Sequence, residues 1–373
     1  MINANNRSLT KQKPRSRRER ATGINDEVES RIMNKTTVVL VGCGGISNAW
    51  LGSETVKKKV EVVGLVDLNP AAAEAKKERH GLTKAVTGSD LDAILRQVQP
   101  EVVFDCTVPE AHCATTLTAL KHGCHVMGEK PMSDTMPNAR RMAAAAQKAG
   151  KTYAVMQNRR YLKGIRALRR FLDSGALGKL VAVHSDFFIG AHFGGFRDVM
   201  EHVLLLDMAI HSFDQARFIT RADAEHVYSH EWTPRHSWYK HGPSAVAIFE
   251  MTDGLVYTYQ GSWCAEGCQT TWECTWRLIG EKGTIIWGGG DDFRCEVVNG
   301  NQGFTRPIKQ KTVPIICPKA LAGGHNSAIA CFLDAVSKGT VPETDSTDNI
   351  KSLAMVHAAV KSAETGKRVS IKL

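Results

Sequence analysis

The sequence lacks any apolar stretch long enough to cross a bilayer. Runs such as TTVVLVG and EVVGLV are bounded by polar residues or glycine and fall far short of the ~18 residues a spanning helix needs. Regular cysteine spacing is missing too. Ten cysteines are scattered over 373 residues, and no apolar signal core precedes the first strand-like run. A disulfide framework and export are therefore not expected, and a reducing, cytoplasmic setting is. Acidic residues are in deficit, 38 against 48 Lys and Arg, which leaves a formal net charge of +10. Much of that excess is local, in the leader stretch KQKPRSRRER with Lys11, Lys13, Arg15, Arg17, Arg18 and Arg20. The leader, residues 1–34, is polar and without hydrophobic periodicity, so a disordered, solvated arm is expected there. Its twin arginines have no apolar region behind them, which an export signal requires. Met33-Asn34-Lys35 would also make a natural start. Nucleic acid is not an expected partner.

The rest is ordinary for a globular chain, 43% hydrophobic and 23% charged, and the length suggests two domains. Residues 37–51, TVVLVGCGGISNAWL, are an apolar run, a glycine turn and a helix-compatible segment. That pattern is a buried parallel strand turning into a helix. Gly42, Gly44 and Ser47 occupy the three small-residue positions of a dinucleotide fingerprint, with Gly45 and Ile46 completing the turn. Small residues there let the backbone approach a pyrophosphate at the helix N-terminus. Serine in the third position is a departure that still permits close helix–sheet packing. A second strand over residues 60–66 ends in Asp67, 20 residues past Ser47, where an acidic side chain receives ribose hydroxyls. Asp67 would repel a 2'-phosphate and Leu68-Asn69 supplies no arginine, so NAD is expected over NADP.

Strands and helices then alternate: a helix from Pro70, strands over residues 101–106, 125–127 and 153–156, and helices over 109–122 and 136–149. This predicts a doubly wound α/β domain over residues 35–157. Ligands on such sheets lie beyond the carboxyl ends of the strands, where Gly42, Asp67, Thr107, Glu129 and Lys130 all fall. A lysine at that rim can polarise a bound hydroxyl.

The motifs GCGGIS, VDLNP, TVPEAH and GEKP, in this order and spacing, resemble the glucose-fructose oxidoreductase, inositol dehydrogenase and rhizopine-catabolism (Gfo/Idh/MocA) family. The resemblance extends from about Lys35 to the end of the chain. It implies an NAD-dependent oxidoreductase of sugars, sugar derivatives or cyclitols, with Lys130 catalytic, His112 near the cofactor, and an aspartate and a histidine four apart matching Asp207 and His211. In VLLLDMAIHSFDQARFI, Leu205, Ala209, Phe213 and Ala216 recur at helical spacing while Asp207 and His211 share another face. The histidine suits proton abstraction from a carbinol, and the aspartate suits orienting the substrate. Arg160, in the strand-end motif Asn158 to Tyr161, is expected to bind substrate, and His202 to line the pocket or cap the helix. Arg166, Arg169 and Arg170 read as a solvated helix face.

Residues 158–373 predict an open, mostly antiparallel sheet with helices on one face, built from segments such as VAVHSDFFIG, SAVAIFEM and GTIIWGG. The two closing helices are expected to pack back on the first domain. A sheet face without helices needs a cover, and the resemblance implies a homodimer or homotetramer through it. Cys264, Cys268 and Cys274 lack the paired spacing of a zinc site, and no metal is expected. Two further readings stay open: an NAD-dependent glycosidase that recycles its cofactor, and a non-enzymatic dinucleotide-sensing regulator.

Overall fold

The computed structural model describes residues 35–373, and the basic leader, residues 1–34, lies outside the described residues. The first sheet contains six parallel strands in the order β3-β2-β1-β4-β5-β6. These are β1 (Thr36–Val41), β2 (Val60–Val66), β3 (Val86–Gly88), β4 (Val102–Asp105), β5 (His125–Gly128) and β6 (Tyr153–Val155). The strands of the middle are apolar on both sides because helices cover both faces; Val38, Val39, Leu40, Val102, Val103 and Phe104 are fully buried. Crossover helices are α1 (Ser47–Leu51), α2 (Glu54–Lys59), α3 (Pro70–His80), α4 (Leu91–Val98), α5 (Pro109–Lys121) and α6 (Met136–Ala149). Local chemistry sets their ends. Asn69 caps α3 by accepting from the Ala71 amide, Pro70 takes the first turn, and Gly81 closes the helix in the left-handed conformation.

The segment between α3 and β4 departs from expectation. The sequence reading passes from one to the other directly, whereas the chain inserts β3 and α4. With only three residues, β3 is too short to show a period, and its place at the sheet edge needs no apolar run.

The second half opens with α7 (Lys163–Asp173) and β7 (Leu180–Phe188). A π-helical turn, Leu204–Ala209, leads into α8 (Ile210–Thr220). The remaining strands are β8 (Ala224–Trp232), β9 (Ser244–Met251), β10 (Val256–Ser262), β11 (Thr275–Gly280), β12 (Gly283–Trp287), β13 (Phe293–Val298), β14 (Ile308–Gln310) and β15 (Val369–Ser370). Together they make a nine-stranded sheet in the order β14-β13-β12-β11-β7-β10-β9-β8-β15. Its pairs are antiparallel except β7 with β10. Alternation decides the faces: along β10, Tyr257 and Tyr259 point into the core while Val256 is exposed.

The last two helices, α9 (His325–Lys338) and α10 (Ser346–Thr365), join the halves. Ile329 and Phe332 of α9 share a core with Val38, Leu40 and Trp50. Ile350 and Leu353 of α10 pack against the other face of the first sheet, and Met355, Val356 and Ala359 pack under the second. The catalytic candidates therefore sit where the carboxyl ends of β1, β4 and β5 meet the start of α8.

Candidate active site

The glycine turn follows β1. Gly42 has φ +87°, and a Cβ built there would come within 2.6 Å of the Cys106 backbone carbonyl and 2.7 Å of the Thr107 amide nitrogen, so only glycine lets the two strand ends approach. Gly44 and Gly45 face open space, with nothing within 4 Å of a built Cβ. Asp67 is held ready beside them: its Oδ2 accepts from the Cys43 amide at 2.7 Å and its Oδ1 from the Asn69 amide at 2.8 Å. Each oxygen retains a second lone pair for a hydroxyl donor. Lys76 of α3 ties the turn down, donating to the Gly44 carbonyl at 3.1 Å and to Asn48 Oδ1 at 2.8 Å. Burial pushes the Cys43 thiol up to about 11, with the Asp67 charge acting in the same direction, so this cysteine is no nucleophile at neutral pH. An open glycine turn with a prepared carboxylate one strand away fits the pyrophosphate and ribose of a dinucleotide.

The strand-end residues divide into those that face the cleft and those that hold the turns. Glu129 is buried; its Oε1 accepts from the Trp50 indole at 2.6 Å and its Oε2 from the Lys130 amide at 3.2 Å. His112 is buried as well, with Nδ1 2.9 Å from Asp105 Oδ2 and 3.2 Å from Thr107 Oγ1. Burial by itself would lower the His112 pKa, but the Asp105 carboxylate outweighs it and raises it. Both were expected to touch cofactor; the hydrogen bonds they make run inward and orient the turns bearing Lys130 and Thr107, while His112 Nε2 is buried without a hydrogen-bond partner.

Lys130 emerges from that support. Its Nζ donates to the Asp207 carbonyl at 2.9 Å and lies 3.4 Å from Asp207 Oδ1. In a regular α-helix the Asp207 carbonyl would pair with the amide four residues on, and Asp207 lies instead in the π-helical turn. The even helical face expected for Asp207 and His211 is thus interrupted between them. Arg197 clamps the carboxylate from the other side, with Nε 2.7 Å from Oδ2 and a terminal nitrogen 3.2 Å from Oδ1. Its guanidinium stacks over Phe193 and Phe196 at 4.8 and 4.7 Å. Burial pushes Asp207 upward, but Lys130 and Arg197 prevail and hold its carboxyl below the ordinary range.

His211, in the first turn of α8, is buried and its Nδ1 has no hydrogen-bond partner. Burial drives its pKa well below the usual histidine value, and Arg159, Lys130 and His325 add positive charge that pushes the same way. The imidazole is therefore uncharged near neutrality. His325, at the start of α9, reaches the same cluster, with Nδ1 3.2 Å from Asn158 Nδ2 and Nε2 3.9 Å from Glu129 Oε1.

Two further residues expected near substrate are engaged by partners within the protein. Arg160 does not offer itself to substrate: its guanidinium grips both oxygens of Asp214 at 2.7 Å and also bonds Asp348 Oδ2 at 2.8 Å and the Glu343 carbonyl at 3.0 Å. A fork so fully occupied and buried is a structural tie. His202 stands at positive φ and pairs with Glu231 at 2.6 Å and Glu364 at 3.4 Å. The solvated arginine face also dissolves on inspection, since Arg166 and Arg169 are largely covered and only Arg170 is exposed. Sequence reasoning missed Arg197, His325, Trp50 and Lys76. None has a periodic signal, and their partners lie 10, 167, 79 and 32 or 28 residues away.

Fold and cluster define a dinucleotide-dependent oxidoreductase. The family model described as "Oxidoreductase family, NAD-binding Rossmann fold" matches residues 36–157, and the GFO/IDH/MocA C-terminal domain matches residues 165–286. The chain belongs to the GFO/IDH/MocA oxidoreductase family. It is similar to the 1,5-anhydro-D-fructose reductase of Ensifer adhaerens, 25% identical over 89% of this chain and 98% of the relative. It is equally similar to the D-glucoside 3-dehydrogenase of Escherichia coli K12, 25% identical over 90% of this chain and 97% of the relative. Among solved structures, an oxidoreductase from Agrobacterium radiobacter in complex with NAD+, L-tartaric acid and magnesium aligns with TM-score 0.78 and 22% identity. That alignment covers 91% of this chain and 99% of the other.

Proposed function

We propose that the protein oxidises a ring hydroxyl of a sugar, sugar derivative or cyclitol, with NAD as hydride acceptor. The observation that carries this reading is the pairing of a lysine bound to a buried aspartate with an uncharged, buried histidine, at the carboxyl rim of a dinucleotide-binding sheet. His211 takes the hydroxyl proton; Lys130 donates a hydrogen bond to the same oxygen and stabilises its alkoxide character. Asp207, locked as a carboxylate, accepts from a neighbouring hydroxyl and orients the ring. When bound, NAD accepts the hydride from the carbinol carbon, leaving a ketone. Asp67 receives the ribose hydroxyls and, with no arginine beside it, favours NAD over NADP. The relatives' names, a reductase of an anhydro-sugar and a dehydrogenase of a glucoside, support a polyhydroxylated substrate.

The chain would work in the cytoplasm, a setting supported by ten free cysteines. A homodimer or homotetramer through the second sheet is supported by Val181, Tyr228, Ile248 and Val256, large apolar side chains exposed on its strands.

Absorbance of reduced nicotinamide, followed with NAD and a panel of sugars, sugar acids and inositols, tests the reading. One compound should be oxidised, and Lys130→Ala and His211→Ala should each abolish most of the rate. NAD bound tightly with no turnover across the panel would overturn it in favour of an internally recycled cofactor or a sensor.

A further inference from the structure

A cavity of about 570 Å³ opens between α7, the end of α8 and the start of α10, and neither Lys130, Asp207 nor His211 lines it. Seven cationic side chains face it, against four carboxylates. Most of this charge is matched. Arg160, Arg217 and Lys351 are neutralised by Asp214, Asp348 and Asp223, three against three. Arg166 pairs with Glu343 at 2.7 Å, and its guanidinium stacks on Phe218 at 4.8 Å. What remains is uneven: Arg169 and Arg221 both pair with the single carboxylate of Asp173, and Arg170 lines the same corner.

That corner therefore holds an uncompensated excess of two positive charges. Arg169 bonds Asp173 at 2.9 Å and the Ile219 carbonyl, yet its Nε is buried with no partner. A buried guanidinium N–H without an acceptor is costly to leave unmade. Burial pulls the Arg169 pKa below its ordinary value, with Arg221 adding to the effect and Asp173 opposing it. Arg170 has no carboxylate within 4 Å among the described residues. Planar forks arranged around an opening suit tetrahedral or planar dianions.

We propose that this corner of the cavity, at Arg169, Arg170 and Arg221, binds a small dianion: a phosphate group or a dicarboxylate. The site is separate from the dinucleotide rim, and the proposal does not depend on the reaction assigned above. The same helix serves both places, with His211 in the first turn of α8 and Arg217 in its last, Arg221 following it.

Calorimetric titration of NAD-saturated protein at constant ionic strength, with inorganic phosphate in one arm and malonate in the other, tests it. NAD saturation removes the glycine turn as a competing phosphate site. At least one probe should bind saturably near one per chain, and the better arm tells a phosphate site from a dicarboxylate site. Arg170→Ala combined with Arg221→Ala, both exposed, should weaken binding at least tenfold, and Arg170→Ala alone should weaken it measurably. Arg140→Ala, an exposed arginine on α6, should leave it unchanged. No saturable binding of either probe, or equal affinity in the double variant and the parent, would overturn the site.

Discussion

Two charged clusters are built on the same helix and its approach, and they are finished to different degrees. Around Arg160, Arg217, Asp214 and Asp348, each charge meets its opposite through two or more bonds of about ordinary length, such as Arg160 Nε to Asp214 Oδ2 at 2.7 Å and Arg217 to Asp348 Oδ1 at 2.6 Å. Burial alone would lower the Arg160 pKa, and Asp214 and its neighbours reverse that. Around Lys130, Asp207 and His211 the work stops short: the lysine holds only a carbonyl and a long carboxylate contact, and the histidine is left neutral with an idle nitrogen. A closed network is costly to break by removing one partner and leaves few donors free for a ligand. An open one, with a perturbed histidine at a cleft, marks a candidate functional site. The lesson is that counting arginines near a motif is a poor guide, because the saturated fork of Arg160 belongs to the frame.

Exchanging the roles of the two clusters gives the largest contrasts. Lys130→Ala should lower kcat by ~10³-fold, near the middle of what acid–base and electrostatic groups contribute, and should move Tm little; steady-state kinetics beside thermal melts read both. Asp214→Ala should do the converse, costing up to about 3–5 kcal/mol of stability by removing the two-oxygen partner of buried Arg160, as denaturant unfolding would register, while the fraction that remains folded keeps NAD affinity. Gly42→Ala should weaken NAD binding about tenfold or more in a fluorescence titration, since the added carbon strikes the Cys106 and Thr107 backbone at a positive φ. A smaller effect is expected from Trp50→Phe. It removes the indole N–H from the buried Glu129 carboxylate and should cost about 1–3 kcal/mol, with kcat falling as the Lys130 turn loosens.

The pH dependence sharpens the same comparison. His211 must be uncharged to accept a proton, and burial with nearby cations holds its pKa well under 6.5. The acid limb of kcat/KM should therefore lie below the ordinary histidine range and vanish from the residual activity of His211→Ala. For folding the sign is equally definite. The unfolded chain takes up a proton near pH 6.5 that the folded chain refuses, so stability is lost as pH falls from that value toward the lower folded pKa. A limb at or above 6.5 in the parent enzyme would remove His211 as the base.

Much of the first domain was legible because its physics is local. Strand β2 and helix α6 fall on the spans expected of them, 60–66 and 136–149, and Gly42 is required by a turn written into six consecutive residues. The short edge strand β3 and the strands β8 and β13 were not read, being too brief or too mixed in pattern to stand out. Of the candidate cluster, Lys130, Asp207 and His211 were named through motif and spacing. Arg197 and His325 were not, since an arginine in a single short helical turn and a helix-start histidine carry no period.

The sequence by itself determined the doubly wound sheet, the open glycine turn and the acidic end of β2, because hydrophobic period, glycine conformation and turn chemistry act within a few residues. Only the tertiary structure decided which charged groups are spent and which are free. Glu129 turned inward to Trp50, Arg160 was consumed by Asp214, and Asp173 was left to serve both Arg169 and Arg221. The physical reason is distance along the chain: an ion pair depends on what is brought within about 4 Å, and partners 54 to 188 residues apart are chosen by packing alone.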